Sequence, residues 1–177
     1  MKKKPIYLWI LLVLSALISA SSLFGILGPV PSKEALRASL SNSGSLTAQQ
    51  IEDTVNYTYQ VTASSHSIFN VVLIVLSAIL VVVAFVFLVR KNVQFANYAY
   101  LGYLLLAIVG LVYSFMNIQD AIQLIKDDTL GLGIGTLAKG TVILFMIINV
   151  LFLALVLYKM WRQQKDLAEE AEAEEVA

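Results

Sequence analysis

Four stretches of the chain contain no Asp, Glu, Lys, Arg or His: residues 5–27, 68–89, 95–116 and 140–158. Each is 19 to 23 residues long. As helix, at 1.5 Å per residue, that is roughly 28–35 Å, enough to cross a hydrocarbon core of about 30 Å. Inside lipid every backbone N–H and C=O must find its partner within the segment, so isolated apolar runs of this length are predicted to be helices. The composition fits such a chain. Of 177 residues 59% are hydrophobic and 14% charged, against about half and a quarter in soluble domains. The expected fold class is therefore an all-α membrane protein, a four-transmembrane-helix bundle.

The charges set an orientation. Cytoplasmic segments are enriched in Lys and Arg. With the N-terminus inside, the inner positions carry Lys2, Lys3, Lys4, Arg90, Lys91, Lys159, Arg162 and Lys165. The outer positions carry Lys33, Arg37, Lys126 and Lys139. Tyr7, Trp9, Tyr98, Tyr100, Tyr158 and Trp161 fall near the same inner interface, where amphipathic rings concentrate. The layout that follows has a cytoplasmic N-terminus (1–4), a first span (5–27), a first outer loop (28–67) and a second span (68–89). A cytoplasmic turn (90–94) leads to the third span (95–116), a second outer loop (117–139), the fourth span (140–158) and a cytoplasmic acidic tail (159–177). A multi-pass protein of the plasma membrane is expected, and the short, cysteine-free chain suggests a prokaryotic one. The first span has a rival reading as a signal peptide cleaved near Ala20-Ser21-Ser22. Its apolar character continues through Leu27, which favours a retained helix.

The outer loops have helical patterns of their own. Pro29 and Pro31 stop the first helix, and Ser32 is placed to cap a short helix over 32–40. Ser41 to Ser45 reads as a break. Thr47 and Gln50 fit a capping box opening a helix over 47–63, which could run without interruption into the second span. Ile118, Ile122 and Ile125 recur at helical spacing and extend the third helix outward. Asp127-Asp128 and the glycines 131, 133 and 135 are expected to end it, and Gly131 to Gly140 to form a flexible re-entry into the fourth helix. The two outer segments, 32–63 and 117–136, are expected to pack together as a small helical extracellular cap.

Candidate chemistry is sparse. Zero cysteines exclude disulfides and thiolate sites, and a single His excludes a multi-histidine metal site. The spacing of Gly135 and Gly140 resembles a phosphate loop, but Thr141 follows directly and the Lys is missing. No cofactor is expected, and net charge zero gives no basic surface for nucleic acid. Within the spans the polar residues Ser15, Ser19, Asn70, Ser77, Ser114 and Asn149 read as isolated. Asn149 is the leading candidate for an interhelical polar contact, with Ser77 second. Ser15, Ser19, Ala16, Ala20, Ser21 and Gly25 form small pairs four apart, a helix-packing face. His66 reads as an interface residue. The tail from Asp166 to Glu175 has a helical composition but opposes the helix dipole, so fraying is expected.

The four-span layout with a larger first outer loop resembles claudin-type tetraspans. Their outer-loop Trp and Cys signature is absent, so the resemblance extends to layout and implies no activity. The expected function is a non-enzymatic accessory or scaffold subunit that binds other membrane proteins or itself within the lipid bilayer. The alternatives are a small transport or channel-type protein acting as an oligomer, and a membrane immunity or stress protein.

Overall fold

The computed structural model describes residues 5–42 and 46–175, and every regular element among them is helical. The Lys2–Lys4 cluster, residues 43–45 of the expected break and the last two tail residues lie outside the described residues. Six helices follow in order: α1 Ile6–Leu27, α2 Lys33–Ser41, α3 Ala48–Ser65, α4 Ile68–Val89, α5 Val93–Ile122 and α6 Asp128–Glu175. Four of them, α1, α4, α5 and α6, are long and apolar enough to cross a membrane.

Local chemistry explains most of the boundaries. Pro5 starts α1 with a fixed φ and no N–H to leave unpaired. The extended Gly28 and Pro29 end that helix without a break at Ala20-Ser21-Ser22. Ser32 Oγ accepts the Ala35 N–H at 3.2 Å and caps α2. Thr47 and Gln50 make both bonds of a capping box at the start of α3. The α4–α5 turn is a Schellman motif: the Lys91 N–H reaches Leu88 O and the Asn92 N–H reaches Phe87 O. The motif needs a left-handed residue, and Lys91 takes that role at φ 60°. Asn92 then caps α5 by accepting the Phe95 N–H.

Three expectations about helix bounds are corrected. α3 does not run into the second span. Ser65 Oγ donates to Thr62 O at 2.7 Å and His66 Nδ1 lies 2.9 Å from the same carbonyl, so polar side chains compete with the backbone at the helix end. Ser67 then restarts the chain by capping α4 at the Asn70 N–H. Second, Gly131, Gly133 and Gly135 are no loop, because α6 already begins at Asp128. Asp127 Oδ1 accepts the Leu130 N–H and opens the helix ahead of them. Gly135 there serves close packing: a Cβ would stand 3.1 Å from Ile122 Cδ1 of α5. Third, α6 stays helical to Glu175, as strong helix formers in the tail favour, together with the Lys165–Glu169 pair one turn apart.

α5 packs between α4 and α6, and α1 lies along α4. One core joins all four long helices. It comprises Leu8, Leu11 and Leu12 of α1, Val81, Ala84 and Leu88 of α4, Ala96, Tyr100, Tyr103 and Leu104 of α5, and Val156 of α6. These residues lie toward the α4–α5 turn. Two polar links tie α1 to α5 there: the buried pair Ser15 Oγ and Tyr100 Oη at 3.0 Å, and the half-buried Tyr7 Oη donating to Asn97 Oδ1 at 3.0 Å. Asn97 Nδ2 is buried without a hydrogen-bond partner among the described residues, beside a cavity of about 20 Å³. One water molecule needs about that space.

Candidate functional site

The opposite end of the molecule carries two further polar features. The first is a polar pin between α3 and the α5–α6 turn. Asp53 is 1% exposed. Its Oδ2 accepts the backbone N–H groups of Lys126 at 2.9 Å and Asp127 at 3.0 Å. Its Oδ1 accepts from Gln49 Nε2 at 2.7 Å. Gln50 Nε2 donates to Asp127 Oδ2 at 3.0 Å, so one Gln both closes the capping box of α3 and holds the start of α6. Burial pushes the Asp53 carboxyl up, but the bonds from Asp127, Lys126 and Gln49, with the Lys126 charge, outweigh it and hold the group below its ordinary range. Asp127 is held low too, first by the Leu130 N–H and then by Gln50. Val55 of α3 is fully buried as well. α2 is fastened to α3 by Lys33 Nζ donating to Asn56 Oδ1 at 2.7 Å, and by the exposed Arg37–Glu52 ion pair at 2.6 Å.

The second feature is a cavity of about 420 Å³ among α1, α4 and α5, beneath the α3–α4 joint. Ser19, Ser22 and Gly25 line it from α1, Asn70 and Ser77 from α4, and Tyr103, Gly110 and Ser114 from α5, with Thr62, Ser65 and His66 at the joint. His66 Nε2 lies 3.0 Å from Gly28 O, which ties the end of α1 to that joint. Tyr103 stacks on Tyr100, ring centroids 5.5 Å apart, so the cavity stops at the packed core.

The polar residues of the spans are therefore not isolated. Ser19, Asn70, Ser77 and Ser114 line one cavity, and Ser15 lies deeper along the same face of α1, bonded to Tyr100. Asn149 is apart from them. Its side-chain amide donates to Phe145 O, one turn back in its own helix, rather than across to a neighbour. An amide on a surface without a facing acceptor turns back to its own backbone. The small-residue face of α1 divides: Ser15 and Ser19 are buried, Ala16 packs against the core, and Ala20, Ser21 and Gly25 are exposed. Asp53, Tyr103 and Gly110 are the residues that sequence reasoning passed over. The signal for the last two was a helical face, Tyr103, Ala107, Gly110 and Ser114, with small or polar residues at each turn.

Comparison with family models places the chain in a family. The family model for Domain of unknown function (DUF8777) matches residues 1–169. The chain belongs to that family. The match takes in α1 to α5 and α6 as far as Glu169. No curated protein and no solved structure matches the chain. Among the described residues no three His, Asp or Glu side chains gather closely enough to hold a metal ion.

Proposed function

We propose that this chain is a non-enzymatic integral membrane protein of the plasma membrane, a four-helix bundle with α2 and α3 as an extracellular cap and both termini cytoplasmic. It acts as an accessory or scaffold subunit, offering the cap to another membrane protein. The observation that carries this reading is the Asp53 pin. Three hydrogen bonds to one buried carboxylate hold α3 against the α5–α6 turn, and a surface fixed before contact loses little entropy on binding. The 48 residues of α6, about 72 Å of helix, outreach the bilayer and carry the acidic tail into the cytoplasm as a second contact surface.

Photo-crosslinkers placed in cells at the exposed Ala38 of α2 test this. A discrete crosslinked partner, lost when Asp53→Ala loosens the cap, is the expected result. A chain that yields no crosslink and purifies in mild detergent as a lone monomer refutes the reading. One observation favours a second reading, a small transport-type protein: the polar-lined cavity reaches inward from the cap. It ends at Tyr103, so a single chain supplies a half-path only. Flux through reconstituted vesicles that disappears with Ser77→Leu would establish this reading instead.

A further inference from the structure

The same cavity carries a conclusion that does not depend on a protein partner. Its hydroxyls are left over after the fold is satisfied. Among the described residues the hydroxyls of Ser19, Ser77, Tyr103 and Ser114 make no hydrogen bond, and none of them is sealed inside the protein: their oxygens remain accessible along the cavity they line. Ser22 by contrast turns back to Ile18 O in its own helix. Unpaired hydroxyls in an apolar medium are costly. Several of them converging on one concave space is the arrangement of a small-molecule site, and about 420 Å³ is within the usual range for one. The remaining wall is hydrocarbon: Ile18, Leu73, Ile74, Leu106 and Leu111. Among the described residues no Asp, Glu, Lys or Arg lines the cavity, so an ionic headgroup would enter without a counter-charge at heavy cost.

Space and access point the same way. α1 and α5 are bonded to each other at Tyr7–Asn97 and Ser15–Tyr100; beyond Ser15 the cavity lies between them. Ile18 and Gly25, on the α1 side of it, are exposed. A Cβ at Gly110 would meet no atom within 4 Å, so the floor there is open. From His66 to Ser77 the cavity spans eleven residues of chain, about 16 Å as helix, which is half a hydrocarbon core.

We propose that this cavity binds an uncharged lipid drawn from the leaflet on the α2–α3 side. The hydroxyls of Ser19, Ser77, Ser114 and Tyr103 hydrogen-bond its ester and hydroxyl oxygens, and its chain lies against Ile18, Ile74 and Leu106. A second protein helix is a poorer occupant, because an apolar helix face would leave the four hydroxyls unpaired.

The experiment uses the full chain in lipid nanodiscs with two photoactivatable probes of identical acyl chain, a monoacylglycerol and an anionic phosphatidylglycerol. Labelled peptides are mapped by mass spectrometry. The neutral probe is expected to label segments 18–26, 70–77 and 103–114, and the anionic probe to do so about tenfold less. Gly110→Leu, whose Cβ would meet no atom within 4 Å and whose side chain would occupy the floor, should reduce neutral labelling about tenfold. Val109→Leu, on the exposed side of the same helix, should leave it unchanged. Tyr103→Phe should reduce it about fivefold. Equal labelling by both probes overturns the proposal, as does full labelling of Gly110→Leu, or crosslinks from this cavity to a second chain in place of lipid. Should Gly110→Leu unfold, Ser77→Ala decides: it removes a hydroxyl and little else, and undiminished labelling counts against the site.

Discussion

The α2–α3 unit and the four long helices are held together by different means. In the long helices, contacts are mostly apolar side chains meeting around Tyr100, with two polar links tying α1 to α5. In the α2–α3 unit few apolar residues are buried, and a carboxylate bonded to backbone N–H groups across 73 and 74 residues of chain does the joining. The difference follows from the solvent. Against lipid, apolar side chains gain little by leaving their surroundings, so close packing decides which helix meets which. Against water a short, polar helix cannot bury enough to stay in place, and specific bonds take over. The two regions should therefore fail separately and under different insults.

The largest effect is expected from Asp53→Ala. It leaves the Lys126 and Asp127 N–H groups unpaired where Asp53 was buried. Amide exchange over 48–65 and 123–128 should quicken by more than roughly tenfold, while exchange in α4 stays unchanged. If α4 exchanges faster as well, the two regions are one cooperative unit. Acid should reproduce the separation. The carboxyls of Asp53 and Asp127 sit below their ordinary 3.8 in the folded state, so their contribution is present above that value and disappears as pH falls through the folded values. Protection of α3 should drop below about pH 4, and Asp53→Asn should flatten that dependence.

Leu12→Ala probes the other region. Leu12 is fully buried in the core, and the truncation should cost about 2–5 kcal/mol in detergent-mediated unfolding without altering exchange in α3. Lys91→Gly should raise stability by about 1 kcal/mol, since Lys91 holds a left-handed conformation that glycine adopts freely. The smallest effect is expected at Arg37. Its pair with Glu52 is exposed on both sides, so Arg37→Ala should leave the melting curve unchanged within error. A clear loss there would give surface charge a share in fastening α2.

How much was legible in the sequence depended on distance along the chain. The caps at Ser32 and Thr47 are decided within three residues, and both were readable. Apolar length alone marked the four long helices. Asp53 gave no sign, because its partners are backbone groups far along the chain and any residue type supplies those. The glycines of α6 misled, since nothing local reveals that Ile122 of another helix occupies the space that Gly135 leaves. Asn149 drew attention as an amide within an apolar run, whereas the serines that share a cavity are individually unremarkable and acquire meaning when α1, α4 and α5 meet.

The central claim is that α2 and α3 stand on one side of the membrane and the α4–α5 turn and the tail on the other. The chain has no cysteine, so each introduced thiol is the sole target of a maleimide. Ala38→Cys, Asn92→Cys and Gln164→Cys, all at exposed positions, should be treated in intact cells with a membrane-impermeant maleimide. Labelling of Ala38→Cys alone, with the other two reacting after the membrane is opened, is the expected result. Labelling of Asn92→Cys or Gln164→Cys from outside, with Ala38→Cys protected, would contradict it.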